Sequence, residues 1–268
     1  MTKRPNILFL MSDEHRPDIV GYEGNRIVRT PVLDELARTG VVFRNAYTPA
    51  PVCIPGRQCM MAGQLPKTCG CEGWVDLPPQ SMTFARRFSQ HAYMTTCFGK
   101  LHHSGSDPMQ GWVRRPAGDI VTDPKLMKPI DEVSFADLTW PSGTRKWPLA
   151  KEILRAGPGR SPTSRWDDLC LDTFRWFAQD VFFANPYYDR ASPHHPVLLK
   201  LSLNRPHYPF LCEEDKFTYY LNRVQPFVEP EPFDHPFLAQ RDVRPERDVT
   251  LRDLRRATAA YYGMVAEL

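Results

Sequence analysis

The chain has 268 residues, 42% of them hydrophobic and 24% charged, which is ordinary for a globular protein and ample for a buried core. Its 34 basic and 31 acidic residues leave a net charge of only +3, and no long basic run stands in the sequence, so a nucleic-acid partner is not expected. The apolar run at residues 7–11 is too short for a signal peptide or a membrane span, and we expect a cytoplasmic protein without membrane contact.

The first quarter of the chain alternates apolar runs with helix signals. The run from Asn6 to Met11 is almost wholly apolar, which predicts a strand buried on both faces of a parallel sheet. A Thr-Pro start and a glycine end predict a helix over residues 30–40, and residues 41–43 are predicted to form a short strand. A proline near the start and a glycine at the end predict a further helix over residues 55–63.

The later elements continue this alternation. They are, in chain order, a helix over 83–90, a strand over 93–98, a helix over 167–183, a strand over 196–203 and a helix that begins at Thr250. Asp253 stands three residues after Thr250, which is the spacing of a capping box. Leu254, Tyr261 and Val265 belong to the apolar stripe of this last helix.

Residues 104–165 differ from the rest of the chain. They are rich in Trp, Pro and Gly and show no clear period, so we predict a loop-rich insertion rather than a second compact domain. In the remainder, strands alternate with helices. This order favours an α/β fold with a mainly parallel sheet flanked by helices.

The seven cysteines are an odd number in a mid-sized chain, which speaks against a disulfide framework. Cys69-Gly70-Cys71 lacks a second Cys or His pair at a spacing suited to zinc. We therefore expect most of the thiols other than Cys53 to be reduced and partly buried.

Polar residues follow the three predicted buried strands at the point where each strand ends. They are Asp13, Lys100 and His207. Since ligands of open α/β sheets bind at the carboxyl ends of the strands, these side chains could converge on one edge. Cys53 stands at the start of a predicted helix, where backbone N–H groups favour an anion.

Four motifs occur here in one order: a strand that leads to Asp13, Cys53-x-Pro-x-Arg57, Gly-Lys100-x-His102 and Pro-His207. In this order they resemble the N-terminal part of the type I, formylglycine-dependent sulfatases of the alkaline-phosphatase-like superfamily. The likeness covers nearly the whole chain, apart from residues 104–165. It implies an alkaline-phosphatase-like sheet of which this chain is the N-terminal portion.

The resemblance also implies a chemistry. A formylglycine-generating enzyme would oxidise Cys53, and the hydrated aldehyde would attack the sulfur of a small sulfate ester. Arg57 and Lys100 would hold the nucleophile and the developing negative charge. His102 would take the proton that allows sulfate to leave, and His207 would contact the sulfate or protonate the leaving oxygen.

A divalent metal is part of what the resemblance implies. Its ligands in this chain would be Asp13, Glu14 and the modified Cys53, and the expected ion is Ca²⁺, with Mn²⁺ or Mg²⁺ as alternatives. Glu14 stands where many sulfatases have a second Asp, and Gly56 stands where Ser is commoner. The family places further metal ligands and another sulfate-binding Lys after the point where this sequence stops.

Three functions remain open from the sequence. The first is hydrolysis of sulfate monoesters, and the second is hydrolysis of phosphonate monoesters or phosphodiesters, which relatives with the same nucleophile carry out. The third is an inactive sulfatase-derived fragment with a binding role, motivated by an apolar face on the last helix that includes Leu254, Tyr261 and Val265. Substrate identity and oligomeric state, including a homo-oligomer, stay open.

Overall fold

The computed structural model describes residues 4–103, 105–119, 149–179, 196–228 and 243–268. The strands in these ranges are β1 (Ile7–Met11), β2 (Met94–Gly99), β3 (Arg114–Ala117), β4 (Gly157–Pro158), β5 (Val197–Ser202) and β6 (Leu211–Cys212). The α-helices are α1 (Pro31–Thr39), α2 (Cys53–Ala62), α3 (Pro66–Cys69), α4 (Phe84–Gln90), α5 (Leu149–Arg155), α6 (Pro162–Trp176), α7 (Glu214–Leu221) and α8 (Leu251–Ala266). Among these described helices, none combines the length and apolarity that a membrane crossing needs.

The chain divides into two compact units. The first unit comprises Met1–Asp13, Phe43–Ile120 and Trp166–Asn204, and the second comprises Glu14–Val42, Val121–Arg165 and Arg205–Leu268. The main sheet belongs to the first unit. Its strand order is β1-β5-β2-β3 and each neighbouring pair is parallel, which confirms the predicted parallel α/β sheet. The prediction that β1 is buried on both faces is wrong for the described residues, since Leu8 and Leu10 are 56% exposed.

The two faces of the main sheet bury different side chains because residues along a strand alternate in direction. On one face Cys97 and Leu198 pack with Met61 of α2 and with residues of α4. On the other face Phe98 and Leu199 belong to a cluster that includes residues of α6. Burial is continuous along β5 because helices cover both faces of the sheet there, and this agrees with a sequence that is mostly apolar apart from Lys200 and Ser202.

The second unit is built around α8. Tyr220 of α7 and Cys212 of β6 pack with Ala260 and Met264 of α8 in one buried cluster. A two-stranded parallel sheet of β4 and β6 lies in the same unit. The capping box predicted for α8 is present, since the Thr250 and Asp253 side chains each accept a hydrogen bond from the other residue's backbone N–H.

The predicted strand over residues 41–43 is wrong. These residues form no strand, and Val41 and Phe43 are 78% and 79% exposed. The helix before them is confirmed, but Thr30 does not cap it: its hydroxyl donates to Asp34 and accepts from the Gly21 N–H. A strand needs a neighbour with which to exchange hydrogen bonds, and β-propensity alone did not supply one.

The predicted loop-rich insertion of residues 104–165 contains regular structure where it is described. β3 from this segment pairs with β2 in the main sheet, and α5 and β4 follow later. Residues 104 and 120–148 lie outside the described residues. α6 begins at Pro162, five residues before the predicted start, because its buried face includes Trp166 and Cys170 as well as Phe174. The predicted end of this helix, residues 180–183, lies outside the described residues.

The apolar face of α8 is covered within its own unit. Leu254 and Val265 are buried, and Tyr261 packs against the cluster that contains Val265. The exposed face that motivated the binding-fragment hypothesis is therefore absent at these three positions.

The cysteines are free thiols, as predicted. Burial raises the pKa of Cys97, Cys170 and Cys212 to about 12, so these thiols stay neutral and unreactive at physiological pH.

Candidate active site

The candidate site lies at the edge of the main sheet where the parallel strands of the first unit end. Asp13 stands two residues after β1, Lys100 directly follows β2, and Ser202 is the last residue of β5 between them. Cys53 is the first residue of α2, which packs on one face of this sheet. The parallel topology and the start of α2 thus bring four separate chain segments to one edge.

Asp13 is the acidic centre of this cluster. Its carboxylate is buried, Lys100 Nζ donates to Oδ2, and Arg57 Nη2 lies 3.3 Å from Oδ1. Lys100 and Arg57 are also buried, at 1% and 2% exposure. Within these three side chains two positive charges face one negative charge. Since a buried charge is costly without a partner, the cluster favours a further anion beside the two cations.

The Cys53 sulfur lies against this charge cluster. Its Sγ is 3.9 Å from Asp13 Oδ2 and 3.9 Å from Lys100 Nζ. The residue is only partly buried. No acidic residue stands in the first turn of α2, and the positive end of the helix dipole there adds a positive field. A reaction in which negative charge develops near Cys53 would be stabilised by these positive charges.

The Arg57 guanidinium is held in place by hydrogen bonds to the ends of two strands. Its Nη1 donates to the Lys100 carbonyl at 2.6 Å and to Ser202 Oγ at 3.1 Å, while Nε is buried and makes no hydrogen bond to the described residues. The close approach of β2 and β5 here requires Gly99. Its φ is +78°, and a Cβ at that position would lie 2.1 Å from the Ser202 carbonyl oxygen.

His102 is a neutral imidazole at physiological pH. Burial, and then the positive charge of Lys100, lower its pKa to about 4. Its Nδ1 is buried without a hydrogen bond to the described part of the chain. The ring meets the Trp74 ring edge to face, with centroids 5.9 Å apart. A neutral ring with a free nitrogen can accept a proton.

Glu14 and His207 lie together in the second unit. His207 Nδ1 donates to the Tyr208 carbonyl at 2.7 Å, which directs Nε2 toward Glu14 Oε1 at 3.5 Å. His207 is buried, whereas the Glu14 side chain is 45% exposed. Tyr261 donates its hydroxyl hydrogen to the Glu14 carbonyl.

The structure therefore brings together four of the predicted site residues, Asp13, Cys53, Arg57 and Lys100, by direct contacts in one unit. His102 follows in the same unit. Their roles in a reaction stay predictions.

Sequence reasoning missed two residues that hold this cluster. Ser202 lies inside a predicted strand, and only its position at the carboxyl end of that strand could have drawn attention to it. Asp119 accepts hydrogen bonds from the backbone N–H groups of Leu101 and His102, although it stands in a segment predicted as loops. Nothing in the local sequence around Asp119 indicates this long-range contact.

The family model that describes sulfatases matches residues 5–268. The chain belongs to the sulfatase family. This confirms the family that the motifs indicated, with the Cys53-x-Pro-x-Arg57 signature at the start of α2 and Lys100 directly after β2.

Among curated proteins, this sulfatase chain is similar to an arylsulfatase of Clostridium perfringens. The two are 26% identical over 99% of this chain and 57% of the relative. A choline-sulfatase of Rhizobium meliloti is 25% identical over 100% of this chain and 52% of the relative. The chain thus spans about half the length of these relatives.

Among solved structures, a phosphonate monoester hydrolase of Agrobacterium radiobacter superposes with a TM-score of 0.67. It is 21% identical, over 98% of this chain and 57% of that chain. The structure of a 2-O GAG sulfatase superposes with a TM-score of 0.54 at 19% identity, over 98% of this chain and 51% of that chain. At these identities the likeness concerns the fold, and it confirms the alkaline-phosphatase-like sheet.

Sulfatases as a family imply a divalent metal ion and a formylglycine, and the residues of the site fit both groups. The buried Asp13 carboxylate offers the hard oxygen ligands that Ca²⁺ and Mg²⁺ prefer. Cys53 is partly exposed at a helix start, with its sulfur 3.9 Å from that carboxylate. A modified side chain at position 53 would therefore lie beside the expected metal ligand.

Proposed function

We propose that this chain carries the nucleophile and the anion-binding part of the active site of an enzyme that hydrolyses sulfate monoesters. The observation that carries the proposal is the buried cluster in which Arg57 and Lys100 share one carboxylate, Asp13, beside Cys53. The excess positive charge of this cluster, added to the field of the α2 N-terminus, suits a substrate that brings a negatively charged sulfate group.

Two residues of the chain would bind and orient the reacting group. Arg57 is fixed through Nη1 to the Lys100 carbonyl and Ser202 and through Nη2 to Asp13, so its positive charge is held in place before an oxyanion binds. Lys100 supplies a second positive charge from the end of a rigid strand. Preorganised donors of this kind stabilise negative charge as it develops, because they need no reorientation during the reaction.

His102 would hold and move the proton. Its lowered pKa keeps the ring neutral before substrate binds, and a bound anion would raise the basicity of the ring when proton transfer is needed. For His207 we propose the role implied by the family resemblance, at the sulfate or at the leaving oxygen. Its Nδ1 hydrogen bond to the Tyr208 carbonyl fixes the orientation of the ring.

The proposal also includes a metal ion and a covalent modification of Cys53. A divalent cation held by Asp13, with Glu14 as a further ligand, would supply Lewis-acid activation, and Ca²⁺ is the proposed ion. A formylglycine-generating enzyme would supply the aldehyde at position 53 that serves as nucleophile.

The test uses the full-length protein, produced together with a formylglycine-generating enzyme. Mass spectrometry of the peptide that contains residue 53 establishes the modification, and kcat/KM is then measured for an aryl sulfate and an aryl phosphonate. We expect formylglycine at position 53 and a higher kcat/KM for the sulfate. Equal or higher turnover of the phosphonate would overturn the sulfatase proposal in favour of a phosphonate monoester hydrolase.

Two variants of one helix separate nucleophile loss from helix damage. Cys53→Ala should lower kcat on the order of 10³-fold or more, because the nucleophile is removed. Cys59→Ala, a buried cysteine in the same helix, should keep kcat within about threefold of the wild type, because only packing changes. Equal loss in both variants would contradict the assignment of Cys53.

A further inference from the structure

The turn that follows β2 carries two of the proposed active-site residues, Lys100 and His102, in an unusual backbone conformation. The φ angle of His102 is +60°, in the left-handed region that residues with a Cβ rarely adopt. Such a conformation persists only where surrounding contacts hold it. The contacts that hold it here come from a distant part of the chain.

Asp119 supplies these contacts. Its Oδ1 accepts the Leu101 N–H at 2.6 Å, and the His102 N–H is shared between Oδ2 at 3.0 Å and Oδ1 at 3.2 Å. Both amides belong to the turn and lie between the two functional side chains. One carboxylate therefore fixes the peptide planes that direct Lys100 and His102.

Arg115 fixes Asp119 in turn. Its Nη2 forms an ion pair with Asp119 Oδ2. The same nitrogen lies 3.4 Å from the carbonyl oxygen of Gly99, which is the last residue of β2. The segment before Asp119 is held by Trp166, whose indole N–H donates to the Gly118 carbonyl at 2.9 Å. The segment that carries Asp119 is thus anchored to β2 through Arg115 and to α6 through Trp166.

We propose that Asp119 is a positioning residue for the sulfatase reaction, which acts by fixing the turn of Lys100 and His102 through its two backbone N–H groups. The inference rests on the proposed function for its kinetic part. Lys100 contacts Asp13, and its carbonyl accepts from Arg57, so a displaced turn would disturb the charge cluster as well as His102. Displacements of about 1 Å at a reacting group can cost about 10²-fold in rate.

Asp107 offers a matched control for Asp119. It lies in the same unit, pairs with Arg86 at 2.7 Å and accepts the backbone N–H groups of Gln80 and Gln110. The side chains of Asp107 and Asp119 are 18% and 19% exposed. Asp107 makes none of its described contacts with residues 100–102. Its substitution therefore removes a comparable set of hydrogen bonds and an ion pair without affecting the turn of Lys100 and His102.

The test compares Asp119→Asn, Asp119→Ala and Asp107→Asn in the full-length protein. Asparagine keeps the shape but has one acceptor oxygen instead of two. We expect kcat to fall about 10-fold in Asp119→Asn and about 100-fold in Asp119→Ala. KM should change less than about threefold, and Asp107→Asn should keep kcat within about twofold despite a similar loss of thermal stability. Loss of kcat in Asp107→Asn equal to that in Asp119→Asn would overturn the proposal.

Amide hydrogen exchange gives a readout that does not depend on any substrate. In Asp119→Asn the amides of Leu101 and His102 should exchange faster than in the wild type, while those of β2 keep their protection. Unchanged exchange at both amides would overturn the positioning role even if activity fell. If the wild type turned over neither sulfate nor phosphonate, the proposed function would fail, and the exchange data alone would decide the role of Asp119.

Discussion

Gly99 shows how a single residue makes the site possible. It combines a positive φ with a close approach to the neighbouring strand, since an added Cβ would lie 2.1 Å from the Ser202 carbonyl oxygen. The obstacle is backbone rather than a flexible side chain, so β2 and β5 would have to separate where Arg57 and Lys100 are anchored. Glycine is therefore needed at this position because a side chain would not fit between the two strands, and not only because of the positive φ.

Gly99→Ala should destabilise the fold by about 3 kcal/mol or more and abolish activity, because the added methyl group forces the ends of two strands apart. Gly63→Ala is the control, since Gly63 has a φ of +64° and no atom within 4 Å of an added Cβ. It should cost only about 1 kcal/mol, the strain of a left-handed alanine. Thermal unfolding of both variants measures the difference, and equal losses would show that the contact with Ser202 is unimportant.

At the residue scale the motifs were informative because each is a short run of sequence. Cys53 and Arg57 are four residues apart on one helix, so their proximity is a local property. The contact of Lys100 with Asp13 followed from the rule that parallel strands end at one edge. Asp119 escaped prediction because its contacts join segments whose proximity depends on how β3 enters the sheet.

At the scale of elements, end signals placed several helix boundaries, although Thr30 does not cap α1. The capping box at Thr250 and the start of α4 after Thr83 are present, as is the glycine that ends α2. A cap is a contact between residues three apart, so it depends little on the rest of the fold. The strand predicted over residues 41–43 failed because a strand depends on a neighbour that the local sequence does not supply.

Thr250→Ala should lower the stability of the protein by about 1 kcal/mol, because one N–H of the first turn of α8 loses its acceptor. Thr173→Ala is the control in α6. The Thr173 hydroxyl donates to the Leu169 carbonyl within the helix, and alanine is the better helix former, so this variant should be neutral or slightly stabilising. Thermal denaturation that gave both variants the same midpoint would contradict the capping role.

At the scale of the whole molecule, the sheet buries a lysine in its central strand. Lys200 of β5 is 1% exposed, with its Nζ 5.2 Å from the centroid of the Phe9 ring. Burial, and then the positive charge of Arg57, lower its pKa from 10.5 to about 7. The unfolded chain therefore binds this proton more tightly than the folded protein does. Between about pH 7 and 10.5 the contribution of Lys200 makes stability rise with pH, and the destabilisation is greatest below pH 7.

Lys200→Met should raise the stability of the protein at pH 7 by on the order of 2 kcal/mol, because an apolar side chain of similar length avoids the cost of burying a charge. The gain should shrink toward pH 10, where the wild-type lysine is already neutral in the folded state. Lys67→Met, at an exposed position, is the control for the substitution itself. Denaturant unfolding at pH 7 and pH 9.5 tests this, and parallel curves for the wild type and Lys200→Met would contradict it.

By itself, the sequence determined the α/β class, the sulfatase family and the clustering of Asp13, Cys53, Arg57 and Lys100, since these depend on periodicity, on parallel strands that end at one edge and on motifs of a few residues. The tertiary structure decided what depends on pairing between distant segments. It added β3 to the main sheet and covered Leu254 of α8. It also placed the Asp119 carboxylate on the turn of His102. Hydrogen bonds and burial across long sequence separations depend on the whole fold, and no local pattern specifies them.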